Sequence, residues 1–435
     1  MIAATMSEMS EVMPRFRGHD IYFYMHGSGS SLGDELRFYY GGGRAVVPCS
    51  DSVSISVLAS SIQHFVDADR LLIAWSAKDI FSFVKSRTEM SMEVGSVLYD
   101  LSVISSYLSV ECEVPTSFSS AVRLLKRLLG HPGWPAFKPF YFEVYMPLVT
   151  SVLPEMETCC LVDNSKRMCV YPSYVVEGQA NGRLKAVVPS EAHYNPHSLG
   201  REQRASLRPA GYDEVFVYFD YKNMEVNVLQ WLSGDPNLGA ILASGEDPYR
   251  SIWSRVIRGE ATESQRRICK DIFLPVVFGQ GSRSLAERAG IKEEIASRII
   301  DTLVDAFPVA FDWVTSQSPD GDKMAVDFFG RRRRFEGREL YKTRNFSVQS
   351  PASMICLRKL VRLHRSLSGL ARTCFHVHDG YCVVCDKNKV DEVFEVGTSV
   401  LEEEDAMFPG LKLKTSCVHG PCLEETKPTR KGALA

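Results

Sequence analysis

The chain reads as a mixed α/β and α+β protein on three observations. Between residues 18 and 110, short apolar runs alternate with helical periodicity, the pattern of a small layered domain. From Tyr212 to Leu232 a continuous β-rich run, Val215 to Phe219, gives way to a 3.6-residue repeat at Met224, Val228, Leu229 and Leu232. That is how a buried strand followed by a helix is written. From Thr373 to Asp386, TCFHVHDGYCVVCD reads as two strands about a tight Asp379–Gly380 turn.

Composition bounds the answer. A length of 435 residues and a hydrophobic fraction of 45% give room for about two or three domains with real cores. No apolar run reaches the ~18 residues that cross a bilayer, and the first residues lack a secretory pattern. The twelve cysteines, among them the adjacent Cys159 and Cys160, have no disulfide-scaffold spacing, so free thiols in a reducing compartment are expected. A net charge of -3 draws no polyanion in bulk, so nucleic acid would have to meet local basic patches.

In chain order, residues 1–17 read as a loose leader. A strand follows Asp20, and Gly41 to Gly43 mark a turn. RLLIAW (Arg70 to Trp75) is a buried strand, KDIFSFV a short helix, and SVLYDLSVISSYL a strand and helix containing Asp100. Metal-dependent hydrolysis needs several convergent acids. Here Asp79 and Asp100 stand at element starts, while the first strand offers only Tyr22, Tyr24 and His26. Residues 116–129 form a basic amphipathic helix, HPGWPAFKP breaks the chain, and helical periodicity resumes through Tyr145, Leu148, Val152 and Met156. Residues 161–181 read as loops and short strands, and Arg183 sits in a short turn started by Gly182.

Residues 237–260 read as surface helix and loop. TESQ then offers a Thr262 cap to a helix on which Arg266, Lys270, Leu274 and Phe278, spaced by four, share a face. Two cations, an aliphatic group and a ring along about 18 Å of helix suit a nucleoside triphosphate. A surface helix whose far half enters a core would look the same. Pro275 predicts a kink or break. Residues 292–315 are a helix pair broken at Pro308. FFGRRRRFEGRELYKTRN holds the densest basic patch, Arg331 to Arg334 with Arg338, Lys342 and Arg344. It fits contacts to a polyanion backbone or a plain solvated charge run. A helix is expected over PASMICLRKLVRLHRSLSG.

Two acids carry the chemistry. Asp220 ends the strand of the opening segment, with Glu225 near the start of the next helix. Asp379 stands at a hairpin tip beside His378. If the strands are neighbours, Asp220 and Asp379 would bridge a pair of divalent cations. The plain alternatives are a solvated strand end, an acid favoured by the helix dipole and an ordinary Asp-Gly turn. Spacing does not choose between them.

The ordered set resembles the polymerase half of the family A DNA polymerases. The matching pieces are GRL at 182–184, DYKNMEVNVLQWLSGD at 220–235, ESQRRICKDIFLPVVFGQG at 263–281, FFGRRR at 328–333, NFSVQ at 345–349 and VHD at 377–379. Residues 18–110 look more faintly like that family's 3′–5′ exonuclease domain, through WSAKD ending at Asp79 and the segment containing Asp100. The resemblance implies an N-terminal ribonuclease H-like exonuclease-type domain, degenerate here, over 18–135. Connecting helix and loops at 136–181 stand where the family has a full thumb. The palm, with an antiparallel sheet, would take 182–235 and 326–420, the fingers 236–325, and a flexible tail 421–435.

By the same resemblance, Asp220 and Asp379 hold two Mg²⁺ ions, or Mn²⁺ in their place. Glu225 packs under the incoming sugar, Arg266 and Lys270 bind its triphosphate, and Lys270 assists departure of pyrophosphate. Leu274 takes the position over the nascent base, and Phe278, also nucleotide-binding, that of a ring whose hydroxyl meets Glu225 in the family. Arg183, Arg331, Arg332, Arg333, Asn345 and Gln349 contact DNA, and His378 lies by the primer end. The implied activity is that of a DNA-templated DNA polymerase, a nucleotidyltransferase extending a primer with deoxynucleoside triphosphates, without proofreading and with low processivity unless a replisome protein supplies the missing grip. The setting implied is a phage or mobile replicon, in the cytoplasm of a bacterial or virus-infected cell or in an organelle. Departures from the family pattern are Gly380 for an acid, Leu274 for an aromatic ring, Phe278 for a Tyr and Asn227 for an Arg. With the missing thumb, they supply the runner-up reading, a catalytically weakened homologue serving as a DNA-binding structural subunit of a replication complex.

Overall fold

The computed structural model describes residues 21–26, 35–40, 43–48, 56, 59, 60, 62, 63, 72–88, 98–257, 259–317, 324–335 and 342–424. The expected leader at 1–17 and Arg338 lie outside these residues. The strands are β1 (Ile21–His26), β2 (Glu35–Tyr40), β3 (Gly43–Pro48), β4 (Leu72–Trp75) and β5 (Leu98–Asp100), with helices α1 (Ala77–Thr88) after β4 and α2 (Leu101–Leu108) and α3 (Phe118–Leu129) after β5. Short strands follow: β6 (Leu161–Asp163), β7 (Met168–Pro172), β8 (Tyr174–Val175), β9 (Lys185–Ala186), β10 (His193–Tyr194), β11 (Leu207–Pro209) and the longer β12 (Glu214–Tyr221). Then come α4 (Met224–Ser233), α5 (Pro236–Ala243), α6 (Pro248–Ile257), α7 (Glu263–Val277), α8 (Ser282–Ala289), α9 (Glu293–Ala306) and α10 (Pro308–Ser316). The chain closes with β13 (Met324–Val326), β14 (Arg332–Arg334), α11 (Lys342–Ser366), β15 (Ala371–Val377), β16 (Gly380–Asp386), α12 (Val390–Glu402) and β17 (Thr415–Gly420).

The chain divides into two compact units. The larger takes the chain up to Asp220, Met354–Val400 and the part from Cys417; the smaller takes Tyr221–Ser353 and Leu401–Ser416. In the larger, β1 to β5 form one sheet ordered β3-β2-β1-β4-β5. Its first three strands are an antiparallel meander, and β1, β4 and β5 run parallel. Parallel neighbours need a crossover, and α1 lies between β4 and β5 in the chain, so the expected alternation holds. Ser117 closes a capping box on α3, which buries Ala121, Leu124, Leu125 and Leu128.

From Trp134 to Thr158 the chain stays helical across Pro139, Pro147 and Pro154. A proline cannot donate to the ladder. The residues just before the last two, Met146 and Leu153, reach back five residues, to Tyr141 and Leu148, and close two π turns. This run buries Phe137, Tyr141 and Tyr145, and Phe137 stacks on Tyr107 with ring centroids 3.5 Å apart.

A four-stranded sheet, β10-β7-β6-β11, follows, with Cys160 bonded to Cys169 across the β6–β7 hairpin. The expectation of wholly free thiols is corrected there. Chain pairing sets that contact, and sequence spacing does not display it.

The sheet that carries the two acids is ordered β15-β16-β12-β17. β16 runs antiparallel to both β12 and β15. Gly380 to Cys385 are all buried, as are Phe216, Val217 and Phe219. Both faces of this layer are therefore covered, as the continuous apolar run predicts. A β-carbon on Gly397 of α12 would stand 2.3 Å from the Phe219 ring, so helix and strand meet closely at that point.

In the smaller unit, the buried Asp235 caps α5 through the Leu238 amide at 2.9 Å and accepts from the Ala310 amide at 3.0 Å, tying α10 to the start of α5. Three sequence expectations change here. Residues 237–260 are two helices whose Leu238, Ile241, Tyr249 and Ile252 are buried, rather than a surface segment. Pro275 sits in the last turn of α7 and does not break it, because only its own amide is lost and the Phe278 amide still reaches Leu274 at 2.9 Å. α11 begins at Lys342 and carries Pro351 inside it, so Asn345 and Gln349 are helical.

Candidate functional site

Strand pairing brings Asp220 and Asp379 to the same end of one sheet. Asp220 lies opposite Gly380, and Val377 also pairs with Gly380, which leaves His378 and Asp379 as the two turn residues. His378 takes the left-handed conformation at φ 55, which a two-residue hairpin turn demands. The turn is therefore His378–Asp379, one residue earlier than the sequence predicts, and Gly380 already belongs to the strand. Asp220 Oδ1 stands 3.2 Å from the point where a β-carbon on Gly380 would lie. Tyr218, two residues before Asp220, faces the same side of β12. Burial first, then the nearby charges including those of Asp220 and Asp379, push its phenol well up, so it is a neutral donor.

Beside the acids, the Tyr174 hydroxyl accepts from the His376 amide at 3.1 Å and donates to the His376 carbonyl at 3.0 Å. The His376 ring meets the Gly380 carbonyl at 2.9 Å through Nδ1. Burial, with the nearby positive charge of Arg183, holds His378 down to about 4, and its ring lies 5.1 Å from that of His197. Arg183 follows Gly182, whose φ is 74, and its amide donates to Asn181 Oδ1 at 3.3 Å. The larger unit thus gathers Asp220, Asp379, His378 and Arg183, a pair of hard oxygen donors with a cation and neutral imidazoles near them.

In the smaller unit, Thr262 caps α7 with the expected box to Gln265. Arg266 Nε donates to Asp247 Oδ2 at 2.7 Å, and Lys270 Nζ stands 6.0 Å from the centre of the Tyr249 ring. Tyr249 is buried, and its phenol is pushed up by burial, then by Glu225. Glu225 lies in the first turn of α4, half-buried. Lys270 is exposed and Leu274 half-exposed, but Phe278 is 6% exposed, so the ring expected along a nucleotide-facing surface is packed inside. Sequence reading missed Asp247 and Tyr249. The Asp-Pro start of α6 was the available signal, because Asp247 Oδ1 caps that helix through the Tyr249 and Arg250 amides.

The basic patch divides. Arg331 is 0% exposed, with Asp327 as its charged partner. The Asp327 carboxylate also accepts from the Phe329 and Arg331 amides and from Ser350 Oγ. Arg331 is a core ion, not a surface contact, because a turn closed by Asp327 folds it inward. Arg332 and Arg333 lie half-exposed on β14, and Asn345 and Gln349 half-buried on α11. In the N-terminal sheet, Asp100 is 1% exposed and spent on Ala77, Ser102 and Val103 amides. Asp79 is bound by Lys78 at 3.0 Å.

Among the described residues no group of three or more His, Cys, Asp or Glu side chains is arranged to hold a metal. Two carboxylates at a sheet end still suit Mg²⁺, which keeps several waters and takes the rest of its shell from substrate phosphates.

A family model, DNA polymerase family A, matches residues 106–425. DNA polymerase I of Chloroflexus aurantiacus is 28% identical over 284 residues, 60% of this chain and 30% of that protein. The thermostable DNA polymerase I of Thermus aquaticus is 27% identical over 241 residues, 51% of this chain and 29% of its own length. The DNA polymerase of Mycobacterium phage L5 is 26% identical over 155 residues, 35% of this chain and 25% of that one. The chain spans less than a third of each of these relatives. Among solved structures, the POL domain of Pol1 from M. smegmatis, in complex with DNA primer-template and dNTP, superposes with a TM-score of 0.76 at 15% identity, over 98% of this chain and 100% of that one. The shared fold is a mixed α/β polymerase-domain fold.

Proposed function

The chain belongs to DNA polymerase family A, and from that premise we propose that it is a DNA-templated DNA polymerase extending a primer with deoxynucleoside triphosphates. The observation that carries this reading is the register of β12 against β16, which sets Asp220 opposite Gly380 and hence beside Asp379. In this reading Asp220 and Asp379 would hold two Mg²⁺ ions, which supply charge to the attacking and leaving oxygens when bound. Arg266 and Lys270 bind the triphosphate, and Lys270, exposed beside the Tyr249 ring, carries a proton to the departing pyrophosphate. Leu274 packs against the base, and Glu225 disfavours a 2′-hydroxyl by filling the space under the sugar. Arg183, Arg332, Arg333, Asn345, Gln349 and His378 contact the primer-template.

We read residues 18–135 as an exonuclease-like domain retained for structure. The supporting observation is that Asp100 is buried and spent as the N-cap of α2. Palm over 182–235 and 326–420, and fingers over 236–325, complete the division. With only 136–181 in place of a thumb, grip on duplex DNA falls to a partner protein and processivity is low. Among the described residues no helix is long and apolar enough to cross a membrane.

The second reading, a weakened homologue that binds DNA without copying it, draws on Gly380 and the buried Phe278. Incorporation of a labelled deoxynucleotide in Mg²⁺ separates the two. The polymerase reading expects extension that Asp220→Ala and Asp379→Ala each reduce on the order of 10³-fold or more, with primer-template binding kept. Binding without extension by the unaltered chain overturns it.

A further inference from the structure

Gly380 is not explained by its turn, since the turn residues are His378 and Asp379. Nor does it take a left-handed backbone, for it is absent from the residues with positive φ. What requires glycine is a neighbour. A β-carbon at 380 would lie 1.9 Å from the Tyr218 hydroxyl oxygen and 2.6 Å from Cζ, far inside contact distance. Tyr218 has little freedom to withdraw. Its backbone is held in β12 opposite Cys382, and its ring lies 6.5 Å from that of Phe375. The phenol therefore fills the volume that any side chain at 380 would take.

That volume borders the acids. The same point lies 3.2 Å from Asp220 Oδ1, so hydroxyl and carboxylate oxygens are near neighbours across it. At such a separation one bridging water joins a hydroxyl to a carboxylate. A neutral phenol adds no charge to the pair and supplies a donor, which neither acid can.

We propose that Tyr218 is a positioning residue of the Asp220–Asp379 pair: its hydroxyl holds the Asp220 carboxylate in the orientation that receives a divalent ion, and its ring makes glycine obligatory at 380. The inference rests on the polymerase reading of the two acids. It also gives that reading a local reason for the sequence at 380, since tyrosine at 218 and a side chain at 380 exclude each other.

The test uses the full chain and four variants, Tyr218→Phe, Gly380→Ala, Tyr218→Ser and the double Tyr218→Ser/Gly380→Ala. Mn²⁺ binding is read by electron paramagnetic resonance without turnover, melting by circular dichroism, and single-nucleotide incorporation as kcat and KM. Tyr218→Phe is expected to melt as the unaltered chain does, to bind Mn²⁺ several-fold more weakly, and to lose about ten-fold in kcat, the worth of one hydrogen bond, with nucleotide KM unchanged. Gly380→Ala is expected to melt lower with Tyr218 in place, and to lower the melting of a Tyr218→Ser chain by less, because the ring that its methyl would strike is gone. Unchanged Mn²⁺ binding and kcat in Tyr218→Phe, or normal melting of Gly380→Ala with Tyr218 in place, overturns the proposal. If the unaltered chain incorporates nothing, the polymerase reading has failed, while the Mn²⁺ and melting arms still decide for or against Tyr218.

Discussion

Arg266 is bound by Asp247, its Nη2 2.6 Å and its Nε 2.7 Å from Oδ2 of that carboxylate. A triphosphate reaching Arg266 must share the guanidinium with Asp247 or displace it. Asp247 has a second task, capping α6 through Oδ1, and asparagine keeps that acceptor while removing the charge. Asp247→Asn is expected to lower the nucleotide KM roughly three- to five-fold, about 1 kcal/mol, with unchanged melting. Arg266→Ala should raise KM by ten-fold or more, as loss of a charge-assisted contact does. Steady-state incorporation kinetics check both. A higher KM in Asp247→Asn would mean the carboxylate orients Arg266 for its substrate and does not compete with it.

The buried imidazole of His376 predicts an acid-side loss of stability. Burial, reinforced by Arg183, His197 and His378, pushes it down to about 3, although the Gly380 carbonyl partly opposes this. The native ring stays neutral, while the unfolded ring takes up a proton below its ordinary pKa near 6.5. Its contribution is therefore complete above pH 6.5 and is lost as the pH falls toward 3, at up to about 1.4 kcal/mol per pH unit. Urea unfolding of the unaltered chain and of His376→Asn between pH 7 and 4 measures this. The variant starts less stable, having lost a ring–carbonyl bond, but its stability falls with a slope smaller by nearly one proton. Equal slopes would place the imidazole in solvent.

Local features of this chain were legible and non-local ones were not. The Thr262–Gln265 box was readable because all its partners lie within four residues. The β15–β16 hairpin was readable from its pattern, yet its turn was misplaced by one residue. Asp-Gly mimics a turn pair, and the actual reason for Gly380 is Tyr218 on another strand. The run of four arginines looks in the sequence like one surface, although a carboxylate four positions earlier withdraws the first into the core. Phe278 and Tyr249, both expected at a surface, are both buried, because a spacing of four on a helix tells which residues share a face but not what covers it. The two acids themselves, far apart in sequence, became a pair only through strand register.

The Cys160–Cys169 bond closes a short loop on the small β6–β7 sheet, away from the two acids in the fold's strand order. Thiol titration of the denatured, unreduced chain should therefore find Cys160 and Cys169 blocked, while the nine other cysteines among the described residues react. Cys160→Ser/Cys169→Ser is expected to lose up to about 2–3 kcal/mol of stability, the loop-closure value for a loop this short, and to keep its kcat. Twelve titrating thiols would return the pair to the reduced state that cysteine spacing alone predicts.

Arg331 separates core from surface within a single basic run. Its charge is wholly buried against Asp327, so Arg331→Ala leaves that carboxylate uncompensated and should destabilise the chain by about 3–5 kcal/mol. Any weakening of DNA binding by this variant follows its folded fraction and leaves the salt dependence intact. Arg332→Ala and Arg333→Ala act otherwise, because these side chains are partly exposed on β14. If each neutralises one phosphate, its loss weakens primer-template binding at every sequence and flattens log Kd against log salt by about 0.9 per residue. Fluorescence anisotropy over a salt series, beside melting curves for the three variants, gives both quantities. A flattened slope in Arg331→Ala at full folding would contradict its burial, and unaltered slopes in the other two would make the run a solvated charge cluster with no part in binding DNA.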